Sequence, residues 1–155
     1  MTSDADSDTV YLIGGLNSGA QMYDPRESKW QYLPDTNFRY IDAASCSHDG
    51  KIYVSGGERD SKRVEMFDKV ARKWIVTKPM NRGRSNHRLL SFMNRLYAVG
   101  NNFTDYSIEV YDLLFHQWCL FSLPKDTIEK ENPDKKRWVS SIIQDMIVYQ
   151  SFDIN

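Results

Sequence analysis

Arginines collect in the segments that join the predicted strands of this chain, where their chemistry suits recognition of carboxylates. A guanidinium group binds a carboxylate through two parallel hydrogen bonds, and nearby amide and aromatic side chains can add hydrogen bonds and an anchor. The alternative is that these arginines are solvated or pair with acids such as Asp35 and Asp60. The candidate partner-binding residues are Arg39, Arg59, Arg82, Arg84, Asn86, Asn102, Phe103, Tyr106 and Arg137.

The residue types that most often carry out catalysis form no recognisable constellation. His48, His87 and His116 fall in a hairpin, a first strand and a turn, and none is spaced as a metal ligand from another His, Cys or carboxylate. The sequence has neither a phosphate-cradling glycine loop nor a nucleophile elbow. We therefore predict a non-catalytic protein without a metal or cofactor.

Composition favours a globular, intracellular protein. The 155 residues are 41% hydrophobic, and 20 basic against 21 acidic residues give a net charge of −1, which predicts no bulk attraction to nucleic acid or to an anionic membrane. No apolar run approaches the roughly 20 residues that span a bilayer, and the polar N-terminus does not read as a signal peptide. Cys46 and Cys119 are interpreted as free thiols. We expect a cytoplasmic location.

A repeat organises the elements that must position the arginines. An aromatic residue, Asp, five residues and Trp recur three times in register, and the three Trp residues lie 44 positions apart. A β-like run that ends at glycine precedes each copy. Fixed self-similarity at this period is typical of solenoids and propellers. The three motifs are Tyr23-Asp24 with Trp30, Phe67-Asp68 with Trp74, and Tyr111-Asp112 with Trp118.

The central copy predicts four short antiparallel strands, which is the content of one propeller blade. The predicted strands are residues 40–48, 51–55, 63–67 and 73–77. Asp49-Gly50 reads as a two-residue hairpin turn because both residues tolerate positive φ. The first copy lacks an opening strand in this interpretation, and a fourth copy begins at Trp138 and ends near Tyr149.

This pattern resembles the kelch repeat. That family combines a strand that ends in Gly-Gly, a downstream Tyr-Asp or Phe-Asp, and a Trp six residues after the Asp; it also favours an Arg before the first strand, as at Arg39 and Arg84. The resemblance covers about residues 10–151. It departs from the family pattern at Asn101, where a second glycine is expected, and in the fourth copy, which lacks both glycines.

The resemblance implies an all-β fold of kelch-type propeller blades. We predict residues 1–9 as a disordered polar tail and residues 10–155 as a single partial kelch propeller of about three and a third four-stranded antiparallel blades, an incomplete ring. The favoured explanation is a fragment of a larger propeller; a truncated chain that self-associates to complete the ring and a compact monomer with nonstandard closure are the alternatives. The predicted blades are 10–33 without its first strand, 40–77, 86–121 and the partial 138–151.

The resemblance also implies function. Kelch propellers commonly receive a protein or peptide on one face, here formed by residues 16–19, 58–62 and 102–106 together with 34–39, 79–86 and 124–137. We predict a protein-protein interaction module, which in BTB-kelch proteins serves as the substrate adaptor of a cullin ubiquitin ligase. An actin-binding or structural module, and a truncated protein that competes with full-length relatives, are the alternatives.

Overall fold

A computed structural model describes residues 2–4, 9–15, 18–58, 61–101 and 105–121, and its described strands form three antiparallel four-stranded sheets. Each sheet is one blade, with its strands side by side in chain order. Blade 1 comprises β1 (Thr2–Asp4), β2 (Thr9–Ile13), β3 (Ala20–Asp24) and β4 (Lys29–Leu33). Blade 2 comprises β5 (Ala43–His48), β6 (Lys51–Gly56), β7 (Val64–Asp68) and β8 (Lys73–Val76). Blade 3 comprises β9 (Arg88–Phe92), β10 (Arg95–Asn101), β11 (Asp105–Asp112) and β12 (Gln117–Phe121).

Turn chemistry sets the register of these strands. Asp49 and Gly50 have φ of 46° and 66°, so the predicted two-residue hairpin turn joins β5 to β6. Met93 and Asn94 take the same left-handed conformation between β9 and β10. The motif Asp opens the turn between the third and fourth strands: the Oδ1 atom of Asp68 accepts hydrogen bonds from the backbone N–H groups of Val70 and Ala71, both at 2.9 Å.

The blades stack through apolar faces. One core cluster lies between blades 1 and 2 and includes Tyr11, Ile52 and Phe67; a second lies between blades 2 and 3 and includes Tyr53, Leu96 and Tyr111. The motif Trp of blades 2 and 3 reaches back to the preceding blade, where its Nε1 donates to a backbone carbonyl. These bonds join Trp74 to the oxygen of Pro34 at 2.9 Å and Trp118 to that of Lys78 at 3.0 Å.

The opening strand of blade 1 is a correction to the sequence analysis. We predicted a tail without structure over residues 1–9 and a first blade without its first strand, whereas Thr2–Asp4 form β1 and pair antiparallel with β2. The backbone N–H and C=O groups along the edge of β2 can pair with another strand whatever side chains that strand carries. The polar Thr-Ser-Asp segment has no alternation of apolar residues, so its sequence did not predict a strand.

The all-β kelch-type prediction is confirmed for three blades, and the described strands do not close a ring. Most predicted strand bounds agree with the observed ones within about three residues, in keeping with the usual uncertainty of element ends. The predicted partial fourth blade, residues 138–151, lies outside the described residues. No helix in the described part of the chain is long and apolar enough to cross a membrane.

Candidate functional site

The loops at one end of the blades form a continuous surface, which we call the loop face. Its described residues are 14–15, 18–19, 57–58 and 61–63, which join second to third strands, and 34–42 and 77–87, which join successive blades. Backbone hydrogen bonds tie the two kinds of loop together. Gly57 N donates to the Arg84 carbonyl at 2.8 Å, and Met80 N donates to the Lys62 carbonyl at 2.9 Å.

Buried carboxylates on the third strands anchor the blade-to-blade loops. Glu65 in β7 accepts hydrogen bonds from the backbone N–H groups of Asn37 and Phe38, each at 3.1 Å. Glu109 in β11 accepts from the backbone N–H groups of Asn81 and Arg82, at 2.6 and 2.9 Å. Both glutamates are fully buried. Blades 2 and 3 therefore each hold the preceding loop in a fixed conformation through one carboxylate.

Arg84 lies inside blade 3 and has no exposed surface. Its Nη2 forms an ion pair with Glu109 Oε1 at 3.2 Å, and its Nη1 donates to the carbonyls of Gly100 and Ser107 at 2.7 and 2.9 Å. The guanidinium is thus committed to groups of its own blade. We assign Arg84 a supporting role beneath the loop face, which differs from the direct contact that its sequence position suggested.

Tyr40 occupies the corresponding place beside Glu65. Tyr40 and Arg84 lie 44 positions apart, like Glu65 and Glu109, and the Tyr40 hydroxyl donates to Glu65 Oε1 at 3.2 Å. Burial, followed by the proximity of Glu65, raises the pKa of Tyr40 well above its ordinary value, so the side chain is neutral. The sequence analysis paired Arg39 with Arg84, and the structure shifts that correspondence by one residue.

Arg39, Arg82 and Asn86 are the predicted partner-binding residues that the structure leaves exposed on the loop face. Arg82 follows the anchored Asn81, and Asn86 donates its backbone N–H to the Asp42 carbonyl at 2.8 Å. Arg59, Asn102, Phe103 and Arg137 lie outside the described residues. Tyr106 belongs to β11, and the role of its side chain stays a prediction.

The sequence analysis missed Arg63, Glu65 and Glu109. Arg63 is exposed at the end of the 57–63 loop, and its guanidinium carbon lies 4.3 Å from the centre of the Phe38 ring. Aligning the repeats would have found the two glutamates, because a charged residue at the same register of two buried strands needs a fixed partner. Arg63 offered no such signal, because its contact with Phe38 forms between two loops that are distant in sequence.

Comparison with known proteins now adds to this geometry. Residues 39–81 match the model of the Kelch motif family, a span that covers blade 2 and the adjoining parts of the loops on either side. Kelch-like protein 35 of Mus musculus is 31% identical over 125 residues, which are 73% of this chain. The chain belongs to the kelch-repeat family.

The kelch relatives are much longer than this chain. The aligned part is 22% of the mouse protein, 19% of Kelch-like protein 26 of Danio rerio, and 22% of the Horsepox virus Kelch repeat and BTB domain-containing protein 1. The zebrafish protein is 29% identical over 68% of this chain, and the viral protein 30% over 72%. The chain is therefore a kelch-repeat module related to BTB-kelch proteins and spans about a fifth of their length.

One histidine of the kelch blades is buried at the loop end of the junction between blades 2 and 3. His87 Nε2 lies 2.9 Å from Ser55 Oγ, and its Nδ1 has no hydrogen-bond partner. Burial and the nearby Arg84 lower the pKa of His87 to about 3, so the ring is neutral. Within the described part of the chain, no group of three or more His, Cys, Asp or Glu residues is placed to hold a metal ion.

Proposed function

We propose that this kelch module is a non-catalytic protein-binding unit whose loop face receives an acidic segment of a partner protein. The observation that carries the proposal is the presence of exposed arginines on loops that buried carboxylates hold in place. Arg39 and Arg82 lie on two such loops, and Arg63 lies beside them at the end of the β6–β7 loop, over the Phe38 ring. Because the loops are already ordered, a partner loses less binding free energy to the ordering of this surface.

The electrostatics of the face support an acidic partner. Arginine forks match carboxylates with two parallel hydrogen bonds, and cations that face solvent attract an anionic segment before contact. The buried Glu65 and Glu109 are already satisfied by backbone N–H groups and by Tyr40 or Arg84, so they do not compete as acceptors at the surface.

A binding experiment tests the loop face directly. The protein would be captured with its partner by affinity purification from cell lysate. The amount of partner recovered with the wild type would be compared with the amount recovered with the double variant Arg39→Ala with Arg82→Ala. We expect the double variant to reduce capture by at least about tenfold, since each contact to a carboxylate contributes on the order of 1 kcal/mol or more. Arg26→Ala is the matched control, because Arg26 is exposed on the turn between β3 and β4 at the other end of blade 1. Equal capture by the double variant and the wild type would refute this site.

The relation to BTB-kelch proteins extends the proposal to ubiquitin ligases. In this proposal the module is the substrate-recognition part of a cullin-type adaptor, and it acts in the cytoplasm. Ubiquitylation of the captured partner in cells that carry wild-type protein, but not the Arg39→Ala with Arg82→Ala variant, is the expected result. Unchanged partner ubiquitylation and lifetime would argue for a binding module without a ligase role.

A second candidate function is self-association that extends the arc of blades. The motif Trp is 49% exposed in blade 1, against 8% in blades 2 and 3, where it reaches the preceding blade. Leu12 on the same face is also exposed. We propose that this face of blade 1 accepts a blade of a second copy. Sedimentation velocity should show a dimer that Trp30→Glu disrupts and that Val70→Glu, on an exposed turn of blade 2, leaves intact; a monomer at all concentrations would exclude it.

A further inference from the structure

A groove opens between blades 2 and 3 at the end of the strands opposite the loop face; we call it the hairpin groove. Its volume is about 480 Å³, within the range of small-ligand and side-chain pockets. The β5–β6 turn and the β9–β10 turn form one rim, where His48 Nε2 lies 3.1 Å from Asn94 Oδ1. The β11–β12 turn forms the opposite rim through Leu113, Leu114 and His116.

The walls of the hairpin groove are largely apolar. Tyr53, Met66 and Ile75 of blade 2 face Tyr111 of blade 3 across it. The apolar surface continues outward on the β11–β12 turn, where Leu114 is 72% exposed and Phe115 is also exposed. Exposed large apolar side chains beside a pocket are the usual composition of a docking site, whereas single scattered ones need no explanation.

Polar groups line the mouth of the groove with an excess of positive charge. Lys51 and Lys78 contribute two cations, against the single carboxylate of Asp49. Neither lysine forms an ion pair with a described residue. The hydroxyl of Tyr111 lies 3.4 Å from His116 Nδ1, so a further hydrogen-bonding group stands at the rim. An occupant with carboxylates beside an apolar side chain would match both parts of the lining.

The corresponding place between blades 1 and 2 is built differently. There the Nζ of Lys69, which stands 44 positions before Leu113, lies 5.4 Å from the centre of the Tyr11 ring and covers it. Phe67 stands where blade 3 has Tyr111, so the rim hydroxyl is missing. Of the two described junctions, the one between blades 2 and 3 therefore has the open apolar groove with its cationic mouth, and the groove does not follow from the repeat alone.

We propose that the hairpin groove binds a short peptide segment of a partner protein in which an aliphatic or aromatic side chain is flanked by carboxylates. The apolar side chain packs on the exposed Leu114 and the half-buried Ile75. The carboxylates pair with Lys51 and Lys78. A peptide fits better than an anionic membrane, because membrane-binding surfaces present clusters of about four to eight basic residues and this mouth presents two lysines. Most of the groove lining lies at the hairpin end of the blades, and Thr77 and Lys78 are the lining residues that belong to the 77–87 loop.

The test is an NMR titration of the full 155-residue chain with three blocked pentapeptides. The probe is acetyl-Asp-Asp-Phe-Leu-Asp-amide; the comparison peptides replace its three Asp residues with Lys, or its Phe and Leu with Ser. We expect saturable shifts of the backbone amides of Lys51, Asn94 and residues 113–116 with the probe, and at least ~10-fold weaker binding of both comparison peptides.

Variants connect the shifts to the groove. Lys51→Glu with Lys78→Glu should weaken binding of the probe peptide at least ~10-fold. Leu114→Ser changes an exposed side chain and should keep the fold even if the double variant does not. It should weaken binding of the probe several-fold. Arg26→Glu, a charge reversal at an exposed arginine on the β3–β4 turn of blade 1, is the matched control and should leave the affinity unchanged. Shifts confined to the loop face, equal binding of the lysine peptide, or binding to anionic vesicles without binding to the probe would each overturn the proposal.

Discussion

The junction between blades 1 and 2 and the junction between blades 2 and 3 place a buried carboxylate at the same position and satisfy it differently. Glu65 accepts four hydrogen bonds from neutral donors, namely the backbone N–H groups of Asn37 and Phe38, the Asn37 amide, and the Tyr40 hydroxyl. Glu109 accepts two backbone N–H groups and pairs with the buried guanidinium of Arg84.

The same repeat position therefore compensates a buried carboxylate in two different ways. A carboxylate away from water must be surrounded by donors or paired with a cation, because desolvation without compensation costs several kcal/mol. The first junction spreads the compensation over neutral groups, and removal of one leaves the others. The second relies on one ion pair beside two backbone N–H groups, so that loss of Arg84 leaves the buried Glu109 charge without its cation. The two junctions should therefore respond unequally to matched substitutions.

The largest contrast is expected between Arg84→Met and Tyr40→Phe. Arg84→Met breaks a fully buried ion pair and should lower the free energy of unfolding by about 3–5 kcal/mol. Tyr40→Phe removes one hydrogen bond of several and should cost about 1 kcal/mol. Urea-induced unfolding with linear extrapolation measures both. Adding Glu109→Gln to Arg84→Met removes the orphaned charge and should recover part of the loss. Equal effects of the two single substitutions would mean that the two junctions share one mechanism.

The next contrast is between two glycines at equivalent repeat positions. A close approach of neighbouring blades leaves no room for a side chain at one of them. Gly56 and Gly100 lie 44 positions apart, with φ of 71° and 77°. A Cβ on Gly56 would collide with the Arg84 carbonyl, whereas one on Gly100 meets nothing within 4 Å. Gly100→Ala should cost roughly 1–2 kcal/mol for the left-handed conformation, and Gly56→Ala roughly 1–3 kcal/mol more for the overlap. Comparable urea midpoints for the two variants would contradict the close approach.

The repeat alone predicted most of the fold. Trp74 and Trp118, the Asp49-Gly50 turn and the strands of blades 2 and 3 followed from alternation and turn chemistry, because those signals are local. The opening strand of blade 1 could not be predicted in this way. A polar edge strand is held by backbone hydrogen bonds, and its side-chain pattern does not indicate them.

The site was less predictable because exposure is a tertiary property. Arg39 and Arg84 looked alike in sequence, but Arg39 lies one repeat position earlier, and Tyr40 takes the buried place beside Glu65 that Arg84 takes beside Glu109. The hairpin groove could not be predicted from the sequence either, because its lining residues come from five strands, and from several turns, of two different blades. Sequence periodicity predicts which side chains lie on the same face of a sheet. The packing of two blades against each other decides which residues that face contacts.

Acid should weaken the second junction more than the first through His87. Its pKa of about 3 in the folded protein lies below the ordinary value near 6.5, so between these values only the unfolded chain binds the proton. Folding stability therefore falls as pH drops below 6.5, by about 1.4 kcal/mol per pH unit. Ala43 is the corresponding residue of blade 2 and does not titrate.

The matched variant for this prediction is His87→Ala. Between pH 7.5 and pH 5, wild type should lose about 2 kcal/mol more unfolding free energy than the variant, because the carboxylates that titrate in both proteins cancel in the difference. Urea unfolding at several pH values between these limits provides the measurement. Parallel stability curves for the two proteins would show that His87 is protonated in the folded state, and the junction would then tolerate the charge.

The smallest contrast concerns the hairpin end of the first junction, where Lys69 covers Tyr11 at 5.4 Å. Lys69→Ala should cost about 0.5–1 kcal/mol through loss of the cation–π contact, and added salt should shrink this cost. Lys73→Ala is the control, because Lys73 is an exposed lysine in the same blade. If both substitutions have the same effect, Lys69 does not cover the ring in solution. The first junction would then also expose an apolar floor, and the hairpin groove would be a property of the repeat rather than of blades 2 and 3.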